Sequence, residues 1–112
     1  MVKEEIFATI AENLRRLFGK RLVSIKVFGS YATGGETADS DVDILIVLDA
    51  AEEGHVEAAA RARAVLEVPV PVDVIVRTPR ELEERLALGD GFFGHIESNG
   101  LEISEATRKR MA

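Results

Sequence analysis

The segment Asp41-Val42-Asp43-Ile44-Leu45-Ile46-Val47-Leu48 decides the fold of this chain. After its two carboxylates the segment becomes an uninterrupted apolar run rich in β-branched residues, which is typical of a central strand covered on both faces. Such a strand needs neighbouring strands beside it and helices above and below it. The segment therefore predicts an α/β (α+β) fold, in which helices flank a small mixed β-sheet.

Helices and strands are predicted to alternate on both sides of this central strand. Apolar residues at three- and four-residue spacing indicate the first helix, and alternating apolar residues indicate the first strand, with Val23, Ile25 and Val27 on one side. A threonine, a proline and a glutamate at 78, 79 and 81 form a capping box that begins a later helix. The predicted elements are a helix over Lys3–Phe18, a strand over Leu22–Phe28, a loop over 29–36, a helix over 52–67, a strand over 70–76, a helix to about 88, a short helix over 92–99 and an edge strand over 101–103.

Composition excludes several classes of protein. The chain has 112 residues with 14 basic and 20 acidic side chains, which gives a net charge of −6 and predicts a single domain over 1–112, with a core over about 6–103 and a polar tail over 104–112. The absence of cysteine excludes disulfide scaffolds and zinc-thiolate sites. No apolar run approaches the ~20 residues needed to span a bilayer, and no signal-peptide core is present, so we expect a cytoplasmic protein without a membrane span. The acidic balance argues against autonomous nucleic-acid binding.

Three aspartates stand in strands where apolar residues are expected. Asp41 and Asp43 lie on one face of their strand, about 6 to 7 Å apart, because successive side chains alternate. Asp73 completes a cluster if its strand is a neighbour in suitable register. Carboxylates are costly to bury unless a cation pairs with them. Three carboxylates without cysteine suit a hard cation, and Mg²⁺ is typical where substrate phosphates complete the coordination shell.

The turn at Gly29-Ser30 supplies candidate phosphate contacts. A glycine after a strand lets backbone N–H groups approach an anion, and the serine hydroxyl adds a donor. Phosphates held there and bridged by metal to the aspartates would suit phosphoryl or nucleotidyl transfer. In that arrangement Asp73 is a candidate base or metal ligand.

Gly29-Ser30, ten intervening residues, Asp41-Val42-Asp43 and the later Asp73 together resemble a known signature. It is that of the nucleotidyltransferase superfamily that includes DNA polymerase beta, and the short length is similar to its minimal nucleotidyltransferase (MNT) domains. The resemblance implies a polymerase-beta-like fold and the transfer of AMP from ATP to a hydroxyl. It also implies two Mg²⁺ ions held by Asp41, Asp43 and Asp73.

The same resemblance implies roles for individual residues and a partner. Ser30 would bind the triphosphate with its neighbours Gly29 and Tyr31, while Asp73 would face the catalytic metal and the nucleophile. Many minimal members act as antitoxins that adenylylate a tyrosine of a HEPN-domain ribonuclease toxin, so the expected partner is a HEPN toxin in a type VII-like toxin–antitoxin pair. Thr33 departs from the family, which usually has an arginine before the glycine at this point, and it predicts weak turnover.

Two other functions stay open. An antitoxin could neutralise its toxin by covering it, with little or no catalysis, and the departure at Thr33 favours this alternative. A small-molecule acceptor is the other alternative, although a chain of 112 residues leaves little mass to hold it. Homodimerisation to build the acceptor site also stays open. A calcium loop is excluded because Ile44 stands where that loop requires glycine.

Several further residues have both a structural and a functional interpretation. Tyr31 could stack on a nucleotide or pack on its own strand, and Arg77 could reach a phosphate or lie on the surface. His55 and His95 lack the spacing of metal ligands, so we expect ordinary surface or capping roles. A further apolar group is predicted to lie in the core, with part of it open to a partner. This group comprises Phe92, Phe93 and Ile96. A frayed tail is expected over 108–110.

Overall fold

The computed structural model describes residues 1–49 and 53–104. In chain order its elements are α1 (Lys3–Phe18), a 3₁₀ turn (Gly19–Arg21), β1 (Leu22–Phe28), α2 (Ser30–Thr33), β2 (Val42–Leu48), α3 (His55–Val65), β3 (Val72–Arg77), α4 (Pro79–Ala87), α5 (Gly91–Asn99) and β4 (Leu101–Glu102). The predicted alternation of helices and strands is confirmed. The predicted tail lies outside the described residues from 105 onward, as does the predicted helix start at 52.

The four strands form one mixed sheet in the order β3-β2-β1-β4. Strand β2 pairs in parallel with β3 and antiparallel with β1, and the short β4 pairs antiparallel with β1 at the other edge. The apolar run of β2 is buried from Ile44 to Leu48 because it lies inside the sheet with helices on both faces. The prediction of a small mixed sheet flanked by helices, with β2 at its centre, is confirmed.

The two faces of the sheet carry different packing. One face, here called the core face, holds Ile25, Val27, Ile44, Ile46 and Val76 against the apolar sides of α1 and α3. The opposite face, here called the site face, holds a smaller cluster with α4 and α5 that is formed by Leu45, Val47, Phe93 and Ile96, with Phe28, Ile75 and Leu82 at its margin. The site face is therefore covered only in part.

Local sequence signals set most helix ends. Gly19 follows α1 at a φ of 57°, as expected for a glycine that ends a helix. The hydroxyl of Thr78 accepts a hydrogen bond from the Glu81 backbone, and the Glu81 carboxylate accepts one from the Thr78 backbone, so the predicted capping box is confirmed. The Asp90 side chain accepts a hydrogen bond from the Phe93 backbone and begins α5 in the same way.

The prediction for one side of β1 was wrong at Val23. The register between β1 and β2 shifts between Leu22 and Ser24, so Leu22 is buried and Val23 is 52% exposed. A bulge adds one residue on one strand and reverses the alternation beyond it. Ile25 and Val27 face the core as predicted.

Residues 29–36 are only partly a loop, because a single turn of helix, α2, occupies Ser30–Thr33. The Gly29 carbonyl accepts hydrogen bonds from the backbone N–H groups of Ala32 and Thr33. This turn joins the end of β1 to residues 34–41, which contain a further turn and lead to β2. In the described residues, no helix is both long enough and apolar enough to cross a membrane.

Candidate active site

Asp43 and Asp73 lie opposite each other on the two parallel strands. The register pairs Asp43 of β2 with Asp73 of β3, and each is the second residue of its strand. In-register neighbours on adjacent strands point to the same face, and the strands are separated by about 4.8 Å. The condition that we set for Asp73, a neighbouring strand in suitable register, is therefore met. Both carboxylates lie on the partly covered site face.

Asp41 adds a third negative charge to this pair. Burial raises the pKa of the Asp43 carboxyl first, and the charge of Asp73, a hydrogen bond with Asp73 and the charge of Asp41 raise this pKa further. Asp43 is half-buried, whereas Asp41 and Asp73 are exposed. Of the three aspartates, only Asp43 therefore carries the expected free-energy cost of burying a carboxylate. The charges of all three aspartates act on one position at the edge of the sheet.

Gly29 is the point at which the turn approaches the aspartates. Phe28 pairs with Asp43 across the antiparallel strands, so Gly29 follows directly beside that carboxylate. A Cβ atom on Gly29 would overlap the Asp43 Oδ2 atom, and the φ of 73° with ψ of −153° lies in a region that is essentially restricted to glycine. Glycine is required here both by the backbone and by the approach of the carboxylate.

Ser30 and Tyr31 differ in their surroundings. Ser30 is the first residue of α2 and is partly exposed. Tyr31 is buried, and its ring meets Phe7 edge to face with 6.4 Å between the centroids. The ring is thus part of the core. Thr33 is exposed, and its hydroxyl donates to the Ser30 carbonyl at 3.3 Å.

The carboxylates of the three aspartates are the candidate ligands for the expected Mg²⁺ ion. Within residues 1–49 and 53–104, no group of three acidic or histidine side chains is arranged to hold a metal ion by itself. Asp43 and Asp73 are close enough to share a hydrogen bond, and Asp41 acts on Asp43 only through its charge. Mg²⁺ characteristically binds one or two carboxylates and takes its other ligands from water and substrate phosphates. The carboxylates fit that mode of binding and do not form an all-protein cage.

Phe28, an aromatic residue beside Asp43, has no assigned role in the sequence interpretation. Phe28 is the cross-strand partner of Asp43, and Phe92 meets the Phe28 ring edge to face at a centroid distance of 5.6 Å. Phe92 is 50% exposed, while Phe93 is buried, as is Ile96. The prediction that this group forms core with a part left open is confirmed. The sequence feature that could have identified Phe28 as a site residue is its position directly before the Gly-Ser turn.

The histidines and Arg77 have structural partners. His55 contacts the Glu81 carboxylate at 2.9 Å, and His95 contacts Asn99 at 3.2 Å. The expectation of ordinary roles for the two histidines agrees with these contacts. Arg77 is the last residue of β3, and its guanidinium lies 5.6 Å from the centre of the Phe93 ring.

A groove at the edge of the sheet does not lie over the aspartates. It has a volume of about 560 Å³ and runs along β3 from Val74 to Arg77, between α3 and the junction of α4 with α5. We place the candidate chemistry at the aspartates because the carboxylates and the perturbed pKa are there. Phe92 lines the groove and also contacts Phe28, so it connects the two regions.

Comparison with known proteins agrees with this geometry. The model of the family described as nucleotidyltransferase domain matches residues 8–99 of this chain. These residues include the Gly-Ser turn and all three aspartates. No curated protein shows a significant match to the chain.

Two solved structures are similar to the chain. A crystal structure assigned as a nucleotidyltransferase from Sulfolobus solfataricus has 26% sequence identity and a TM-score of 0.58, covering 72% of this chain and 71% of that one. A structure of a toxin–antitoxin with AMP-PNP has 19% identity and a TM-score of 0.53, covering 90% of this chain and 72% of that one. The second likeness extends to the fold alone.

Proposed function

Because this chain belongs to the nucleotidyltransferase domain family, we propose that it transfers AMP from ATP, with Mg²⁺, to a hydroxyl group on a partner protein. The observation that carries the proposal is the convergence of charge at Asp43. Asp73 lies opposite it, Asp41 is two residues before it, and the glycine of the Gly-Ser turn approaches its Oδ2 atom. Carboxylates that lie beside a turn which a phosphate can approach closely suit the transfer of a phosphorus-containing group.

The bond changes in this reaction are simple. The acceptor hydroxyl oxygen forms a bond to the α-phosphorus of ATP, and the bond between that phosphorus and the bridging oxygen breaks. Pyrophosphate leaves, and the hydroxyl proton passes to a carboxylate or to water. When bound, Mg²⁺ would neutralise charge that develops on the phosphate oxygens.

The three aspartates would divide the work according to their exposure. Asp41 and Asp43 would hold both metal ions, and Asp73 would hold the catalytic one and face the nucleophile. Asp73 is exposed at the edge strand, so an incoming hydroxyl can approach it from solvent. Asp43 is half-buried between Gly29 and Asp73, which fixes its position for binding.

The Gly-Ser turn would contact the nucleotide phosphates. Gly29 carries no side chain, so the backbone there is open to a close approach by an anion. Ser30 would add its hydroxyl as a donor to the triphosphate. Tyr31 would contribute as the next residue of this turn, with its ring packed against Phe7.

A HEPN-domain toxin is the proposed acceptor protein. The likeness of this chain to a toxin–antitoxin structure with AMP-PNP supports both a toxin partner and ATP as the donor. A tyrosine hydroxyl of the toxin would receive the AMP.

The direct test is incubation of the protein with labelled ATP, Mg²⁺ and the HEPN-type protein encoded beside it. We expect label on the partner with the wild type and with Asp39→Asn, which removes a nearby exposed charge, and none with Asp43→Ala. Absence of label on the partner with every form, under conditions where the proteins bind each other, would reject the proposed transfer.

A second candidate function is neutralisation by binding alone. It is favoured by Thr33, which stands where the family usually has an arginine for the phosphates and which hydrogen-bonds back to Ser30. If Asp41→Ala and Asp43→Ala variants protect cells from the toxin as well as the wild type does, this function replaces the enzymatic one. A nucleotidylated metabolite formed without any partner protein would instead favour a small-molecule acceptor.

A further inference from the structure

The groove along β3 has an open sheet edge as its floor. Strand β3 is at the end of the strand order, so one side of it has no neighbouring strand in the described residues. The Val56–Arg63 side of α3 forms one wall, and Arg85 and Phe92 stand on the other. An open edge of this kind can accept a further strand from another molecule.

The hydrogen-bond register shows which backbone groups face the groove. The Val42 N–H donates to the Pro71 carbonyl at 3.0 Å, so in the parallel ladder the odd residues of β3 bond to β2. The backbone groups of the even residues, Val72, Val74 and Val76, therefore point outward. No backbone bond from another described segment reaches them. The Val76 carbonyl is covered only by a side chain, because an Arg77 Nη1 atom donates to it at 2.7 Å.

The groove carries positive charge on an acidic protein. Arg85 is neutralised by Asp90 at 2.7 Å, and the His55 ring contacts the Glu81 carboxylate at 2.9 Å. Arg63 and Arg77 form no ion pair with any carboxylate in the described parts of the chain. Two unneutralised arginines on a chain of net charge −6 are complementary to an acidic ligand.

The groove leads to the candidate active site. Asp73 directly precedes Val74, the first β3 residue of the groove, and Arg77 is four residues beyond Asp73. At about 3.3 Å per residue, the groove residues of β3 extend about 13 Å from the carboxylate. An extended segment of about five residues would cover that length and bring one end to Asp73.

We propose that an extended, acidic segment of the acceptor protein adds to β3 as a fifth strand in this groove, with the reactive hydroxyl residue at the Asp73 end. The proposal rests on the proposed function for the identity of the acceptor. Backbone hydrogen bonds to Val74 and Val76 would hold the segment, and Arg63 and Arg77 would select acidic side chains. The segment would displace the Arg77 side chain from the Val76 carbonyl.

The test is an NMR titration of the ¹⁵N-labelled full chain with a seven-residue peptide of alternating valine and glutamate with a tyrosine at one end. We expect chemical-shift changes to concentrate at Val72–Arg77. A peptide with lysine in place of glutamate should bind at least tenfold more weakly. Arg63→Gln with Arg77→Gln should weaken binding of the acidic peptide to a similar extent, while Arg80→Gln on the exposed side of α4 should not.

Strand addition is separated from simple charge attraction by N-methylation of the peptide at alternate positions. Methyl groups on the amides that face β3 should abolish binding, and methyl groups on the intervening amides should leave it unchanged. Equal effects of the two methylated peptides, or shifts away from β3, would overturn the proposal. So would tighter binding of a ten-nucleotide thymidine oligomer in the same groove, or β3 shifts that appear with protein concentration alone and indicate a second copy of the chain.

Binding and transfer can fail independently. Asp43→Asn should bind the acidic peptide like the wild type, so a chain without transferase activity could still satisfy the strand-addition proposal. Conversely, AMP transfer to the full partner that is unaffected by Arg63→Gln with Arg77→Gln would support the transferase and overturn the docking groove.

Discussion

Asp43 and Asp73 are in-register partners on parallel strands, and each faces the same side of the sheet. Their proximity raises the pKa of Asp43, after the larger effect of its burial. In a protein without a cation at this point, two carboxylates side by side oppose folding through their repulsion. The pair is therefore a cost to stability that a bound cation would offset.

The first prediction concerns Asp43 and pH. A raised folded-state pKa means that the stability contributed by protonated Asp43 is fully present below its unfolded value of about 3.9 and is lost as pH rises through the folded value. At pH 7.5 without divalent metal, Asp43→Asn should therefore raise the melting temperature by a few degrees. The difference from the wild type should shrink toward pH 3. Thermal melts across this range check it, and a lower melting temperature for Asp43→Asn at pH 7.5 would contradict it.

The second prediction concerns the metal with a nucleotide. Mg²⁺ and an ATP analogue that cannot be cleaved between the α and β phosphates should together stabilise the wild type, because a ligand at a hundred times its Kd adds about 2.7 kcal/mol. Asp43→Asn and Asp73→Asn should lose most of this gain, and Asp39→Asn should keep it. The measurement is the melting temperature with and without EDTA. An unchanged gain in Asp43→Asn would show that the nucleotide binds elsewhere.

The third prediction separates the two reasons for glycine at position 29. Gly29→Ala should destabilise the fold by at least the 1–3 kcal/mol typical of its backbone region, with an added cost from overlap with Asp43. In an Asp43→Ala background the overlap is removed, so Gly29→Ala should cost less there, with a coupling of about 0.5–3 kcal/mol.

Gly34→Ala is the matched control for that coupling. Gly34 also has a positive φ, 82°, but a Cβ there would meet no atom within 4 Å. Its cost should be the same with and without Asp43→Ala. Denaturant unfolding of the wild type, the three single variants and the two double variants gives both couplings, and equal couplings at the two glycines would refute the contact between Gly29 and Asp43.

The fourth prediction concerns the departure from the family at Thr33. Thr33 is exposed on α2, and its hydroxyl donates to the carbonyl of Ser30 in the same turn, so Thr33→Arg should fold normally. An arginine there would add a cation near the proposed triphosphate position and should increase the transfer rate several-fold. The rate of AMP incorporation into the partner measures this effect. No increase, with unchanged folding, would show that the missing arginine does not limit turnover.

Much of the fold was predictable because its signals are local. The apolar run of β2, the periodicity of α1 and the capping box at Thr78 each specify an element without information from the rest of the chain. The bulge at Val23 was not predictable, because it depends on how β1 pairs with β2. The same holds for the burial of Tyr31, whose position depends on the packing of α2 against α1.

Part of the candidate site could likewise be predicted from local sequence signals, and part of it could not. Asp41 and Asp43 could be placed on one face from strand alternation alone, whereas the position of Asp73 depended on strand order and register. The groove was not predictable, because Arg63 on a helix and Arg77 on a strand approach each other only through the packing of α3 beside β3. Charge counts over the whole chain, which is acidic, concealed this local positive region.

The most direct measurement of the central claim is a comparison of ATP labelled at the α-phosphate with ATP labelled at the γ-phosphate, in the presence of Mg²⁺ and the proposed HEPN-domain partner. The account predicts that α-label appears on the partner with the wild type and with Asp39→Asn. It predicts that γ-label is released as pyrophosphate, and that Asp43→Asn transfers neither. Transfer of γ-label, or equal transfer of α-label by Asp43→Asn, would contradict nucleotidyl transfer at this cluster of aspartates.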